Sequence, residues 1–138
     1  MYKLGQTELG VATTFDNIEV VQKSDAIIIA VKPNVVLKVI TEIAAHLTKE
    51  KLLISIALGI TIRSMETHLE SKSRVVRVMP NTAVVVRAGV SAYCMGHACH
   101  DDDTHIVNEM FSCVGFAVEV PESQLDPVTG LSGSGPSY

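Results

Sequence analysis

The chain has 138 residues, 47% of them hydrophobic and only 4% aromatic, with a formal net charge of -4. That is enough chain for one domain with a core of Val, Ile, Leu and Ala. The acidic balance and the lack of any Lys/Arg block argue against nucleic acid or an anionic membrane surface as partners.

No apolar run approaches the roughly 18 residues of a membrane span, and the N-terminal MYKLGQTELG has no h-region, so no secretory signal is expected. Cys94, Cys99 and Cys113 form no C-x-x-C pair, so reduced thiols in an intracellular compartment are expected.

Residues 1–10 are polar and aperiodic, and residues 11–14 predict a short strand. Asp16 and Asn17 are placed to cap a brief helix ending near Lys23. Residues 26–33, AIIIAVKP, form the organising stretch, apolar on both faces and β-branched. That pattern predicts a central strand covered by helices on both sides. Pro33 then opens a helix whose apolar residues recur at Val36, Ile40, Ile43 and Leu47. The same unit recurs in LLISIA (52–57), ending at Leu58 and Gly59, and in RVVRV (74–78), ending at Met79-Pro80-Asn81. Thr61 can cap the helix between them.

Residues 82–86 are ambiguous between strand and loop, and residues 90–95 predict a strand. Asp101, Asp102 and Asp103 favour the positive end of a helix running to Cys113. Residues 116–120 predict a last strand, stopped by Pro121. Strands alternating with helices spell a Rossmann-like, mostly parallel α/β sheet with helices on both faces. Ligands bind at the carboxyl ends of such strands. The Gly-x-Gly-x-x-Gly fingerprint of the first βαβ unit does not occur in this sequence. A sheet lacking that unit, in a fragment of a larger enzyme, is therefore expected.

Four stretches can carry chemistry. Lys32 at a strand end can sit near phosphate or ribose oxygens, or simply be a solvated loop residue. Gly59 permits close backbone approach to a ligand, or only makes a turn. Asn81 on a rigid turn offers a donor and an acceptor together, or is an ordinary Pro-Asn turn. The run from Gly130 to Tyr138 combines a Gly/Ser hinge with a helix start at Pro136, whose N–H groups could take a carboxylate. His97, Cys99, His100, Asp102 and His105 match no structural zinc spacing, so no metal is expected.

Taken together, AVKP at 30–33, RVMPNT at 77–82 and GLSGSGPSY at 130–138 resemble the pyrroline-5-carboxylate reductases. The resemblance runs from about Val11 to Tyr138. It implies an N-terminal dinucleotide domain, here residues 1–125, and a hinge at 126–138 leading into a C-terminal helical domain. It implies reduction of 1-pyrroline-5-carboxylate to L-proline, the last step of proline biosynthesis, with NADPH or NADH. The cofactor is to be held over C5 of the cyclic imine.

By the same resemblance, Asn17 contacts the adenosine side of the cofactor. Ala30, Val31, Lys32 and Pro33 line its ribose and phosphate path, while Leu58, Gly59, Met79, Pro80 and Asn81 lie near the nicotinamide. Catalytic residues and homo-oligomer contacts are expected in the C-terminal domain, outside this sequence. Ala83 and Ser137 stand where the family has Pro and Ala. The cytoplasm is the expected location, with a mitochondrial address left open. Two rivals are another Rossmann dehydrogenase of the β-hydroxyacid or prephenate type and a non-catalytic copy serving as a binding module. This chain alone is expected to bind dinucleotide poorly, to turn over no substrate, and to be mobile over residues 126–138.

Overall fold

The computed structural model describes residues 9–135. The reading of Pro136 as a helix start, and most of the N-terminal tail, lie outside those residues. Five strands form one sheet in chain order: β1 (Ala26–Ile29), β2 (Leu52–Ser55), β3 (Arg74–Met79), β4 (Gly89–Met95) and β5 (Gly115–Glu119). The first three run parallel, with Ala26 opposite Leu52 and Leu52 opposite Arg74. β4 is antiparallel to β3, and β5 is parallel to β4. The sheet is Rossmann-like and mostly parallel, as the alternating pattern implies.

Local sequence accounts for the helices. In α1 (Asn17–Gln22) the Asp16 carboxylate accepts from the N–H groups of Ile18 and Glu19. α2 (Pro33–Ile43) begins on proline, whose missing N–H costs nothing there, and closes through the 3-10 turn Ala44–His46. Thr61 caps α3 (Ile62–Glu66) by accepting from the Ser64 N–H.

The strand period of two sorts the core into two layers. Leu53 and Val75 join Ile27, Ile29, Val36, Ile40 and Met65 under α2 and α3. Leu52, Ile54, Val76 and Val78 pack instead with Val107 and Phe111 of α4 (Asp101–Ser112). Helices therefore cover both faces, and β2 is buried along its whole length.

Two expectations are corrected. The strand at 26–29 is not central: it pairs only with β2 among the described strands, and Ile28 is 46% exposed. Successive parallel crossovers of one hand carry the chain from β1 to β2 to β3 in a single direction, so both later strands fall on the same side. Residues 11–14 form no strand. Thr14 is committed locally instead, its hydroxyl donating to Glu19 at 2.6 Å and accepting from the Asp16 N–H at 3.1 Å.

Beyond β5, the 3-10 turn Glu122–Gln124 leads into α5 (Leu125–Val128) and the π-turn Thr129–Gly133. Leu125 is fully buried there, and residues 125–133 are helical.

The three aspartates that open α4 divide sharply. Asp101 and Asp102 face solvent, but Asp103 is completely buried. Its Oδ1 accepts from Arg74 at 2.5 Å and its Oδ2 from the His100 N–H at 2.8 Å. Arg74 also donates to the carbonyls of Lys49 and Glu50.

Candidate functional site

Parallel pairing aligns Ile29, Ser55 and Arg77, so the segments leaving β1, β2 and β3 emerge along one edge of the sheet. Ala30, Val31, Lys32 and Pro33 follow β1, and Leu58 and Gly59 follow β2. β3 continues two residues past its pairing with β2, which brings Met79, Pro80 and Asn81 to that edge. Val31, Lys32 and Leu58 are exposed there. Pro33 places the positive end of α2 beside them. Gly59 has φ +74°, a left-handed conformation that favours glycine, and a Cβ at this position would meet nothing within 4 Å.

Asn81 is the best-held member of the group. Its Oδ1 accepts from the Val90 N–H at 3.1 Å and its Nδ2 donates to Ser132 Oγ at 3.2 Å. The Gly/Ser-rich segment thus meets the β3 turn directly. Gly133 lies so close to Met79 that an added Cβ would stand 2.7 Å from the Met79 Cε.

Asn17 stands apart. Its Nδ2 donates to Glu42 in the last turn of α2 at 3.2 Å, whereas Lys32 and Pro33 lie at that helix's start. Ten helical residues span roughly 15 Å. Asn17 does share the wall of a cavity of about 90 Å³ with Ala30 and Val31, along the flank of β1.

An open edge with an exposed cation, a helix N-terminus and apolar Val31 and Leu58 fits a dinucleotide's mixture of phosphate and flat ring. The open space at Gly59 supports the same fit. A cleft of about 490 Å³ lies elsewhere, between α3 and the end of β4, and includes none of these residues.

Sequence reasoning missed the charged group behind this edge. Arg77 is buried and pairs with Glu122 at 3.2 Å and Asp126 at 2.8 Å. The available signal was an arginine inside an otherwise apolar strand, since such a residue is rarely buried without partners.

Among the described residues, no three His, Cys, Asp or Glu side chains are grouped to hold a metal ion. Cys99 donates to the Val75 carbonyl at 3.3 Å, and burial pushes its thiol up to about 11. Burial also raises the Cys94 thiol, aided by the charges of Glu122 and Glu119. Cys113 is exposed. An aromatic disulfide reagent at pH 8 should therefore label Cys113 first, with Cys94 and Cys99 following much more slowly. Equal labelling of all three would contradict this order.

No helix among the described residues is long and apolar enough to cross a membrane. A family model described as "NADP oxidoreductase coenzyme F420-dependent" matches residues 3–59. The chain is 44% identical over 133 residues to a pyrroline-5-carboxylate reductase of Methanosarcina acetivorans, covering 96% of this chain and 49% of that relative.

Two solved structures agree. The pyrroline-5-carboxylate reductase of Coxiella burnetii matches with TM-score 0.93 and 35% identity, covering 99% of this chain and 51% of that one. The Plasmodium falciparum pyrroline carboxylate reductase, solved with NADP bound, matches with TM-score 0.88 and 35% identity, covering 93% and 48%. The chain thus spans about half the length of the curated relatives it matches. Over nearly its whole length, in sequence and in fold, the chain is similar to pyrroline-5-carboxylate reductases.

Proposed function

We propose that this chain forms one wall of the site at which a pyrroline-5-carboxylate reductase converts 1-pyrroline-5-carboxylate to L-proline with NADPH or NADH. The observation that carries the reading is Asn81, which ties the β3 turn to Ser132 at the edge where three parallel strands end. When bound, NADPH or NADH supplies the hydride. The work of this chain's residues is to bind and orient.

In this reading Lys32 and the start of α2 face the ribose and phosphate path, with Ala30, Val31 and Pro33 beside them. Asn17 serves the adenosine side. Leu58, Gly59, Met79, Pro80 and Asn81 frame the nicotinamide. Residues 1–125 form the dinucleotide domain, and 126–138 form the hinge toward a helical domain that holds the proton donor and the homo-oligomer contacts. The cytoplasm is the proposed location.

A chimera tests the activity. Residues 11–138 would replace the matching stretch of the Methanosarcina acetivorans relative. NADPH-dependent formation of proline from 1-pyrroline-5-carboxylate is the expected result. A folded chimera that binds NADPH but forms no proline would contradict it.

A further inference from the structure

The Arg77 guanidinium is buried within the sheet's helical cover, its side chain only 5% exposed. A buried cation is costly unless paired. Both of its carboxylate partners come from the segment after β5: Nη1 reaches Glu122 Oε1 at 3.2 Å and Nη2 reaches Asp126 Oδ1 at 2.8 Å. Glu122 Oε1 also accepts from the Ile62 N–H at 2.8 Å, at the first residue of α3. One side chain on β3 therefore joins the end of the Gly59 loop and the 122–133 segment. Two residues further along β3 lies Met79, against Gly133, and two beyond that is Asn81, bonded to Ser132.

We propose that Arg77 is a positioning residue that holds the 122–133 segment against the sheet edge and so presents Ser132 to Asn81. Its importance for catalysis rests on the function proposed above; its structural action does not. Arg77 acts through Glu122 and Asp126, so that the turn after β2, the turn after β3 and the Gly/Ser segment keep one relative arrangement. Lysine cannot replace it fully, because a single ammonium lacks the two-pronged geometry that reaches both carboxylates.

Amide hydrogen exchange and NMR spectra of the 138-residue chain test this. Asp126→Asn is the main variant, because the Asp126 side chain is 77% exposed and its change removes a charge without opening the core. Exchange over residues 125–134 should speed up about tenfold while amides of β1 to β3 stay within about twofold. The Asn81 side-chain amide resonances should shift in the same variant. Arg77→Lys should preserve strand protection and reproduce the loosened segment. A uniform loss of protection across the sheet would overturn the proposal, as would an unchanged segment with an unmoved Asn81 resonance. The exchange readout needs no dinucleotide, so a failure of the cofactor reading leaves this inference testable by itself.

Discussion

Replacing Gly115 with alanine should leave little folded protein. Gly115 opens β5 with φ +148°, opposite Gly89 at the start of β4. A Cβ added there would stand 1.9 Å from the Gly89 carbonyl oxygen and 2.5 Å from its nitrogen. The obstacle is backbone, so no rotamer change relieves it. The strands must part at the rung where the Gly89 N–H donates to the Val114 carbonyl at 3.0 Å.

Strain at a disfavoured φ and loss of pairing at the β4–β5 junction then add to the clash. A destabilisation above about 4 kcal/mol is expected, among the largest a single substitution produces. Gly130→Ala is the control. Its Cβ would meet nothing within 4 Å, so it should shift stability by no more than about 0.5 kcal/mol. Urea unfolding followed by circular dichroism reads both, and an unchanged midpoint for Gly115→Ala would refute the clash.

The second large effect concerns Asn81. In the chimera with the Methanosarcina relative, Asn81→Ala should lower kcat between about tenfold and a hundredfold, since small misplacements at a reacting centre carry penalties of that size. The substitution removes both the bond to Ser132 Oγ and the bond from the Val90 N–H. Ser132→Ala removes only the first, so its effect should be smaller. Unchanged steady-state kinetics in Asn81→Ala would make Asn81 a turn residue without a part in orienting the reactants.

Much of the fold is readable from residue pattern. Short apolar runs at 26–29, 52–55 and 74–78, each cut off by a loop former, state a parallel α/β sheet because neighbour-independent signals suffice for buried strands. The Thr61 and Asp16 caps and the Pro33 helix start are equally local. What escapes the sequence is pairing between distant residues. Nothing near position 26 says that both later strands lie to one side, and the apolar faces of residues 26–29 read the same at the edge as at the centre. Asp103 looks like one of three interchangeable helix-opening acids until Arg74, 29 residues away, reaches it.

The edge residues are legible because strand ends and Pro/Gly turns are local features. The network of Arg77, Glu122 and Asp126 is not, because its members lie 45 and 49 residues apart in sequence. The packing of residues 126–133 escapes the sequence for the same reason. Their Gly/Ser content is visible, whereas the burial of Leu125 and the grip of Arg77 depend on tertiary contacts.

The central claim is that the ends of β1, β2 and β3 form one edge of a dinucleotide site, β1 toward the ribose and phosphates and β2 and β3 toward the nicotinamide. An NMR titration of the isotope-labelled 138-residue chain with NADPH, carried into the millimolar range, tests it most directly. The amides of residues 30–33, 57–60 and 79–81 should shift together along one binding curve, as should the Asn81 side chain, while those of α4 stay fixed. Shifts confined to the cleft between α3 and β4, or none at any concentration, would contradict the claim.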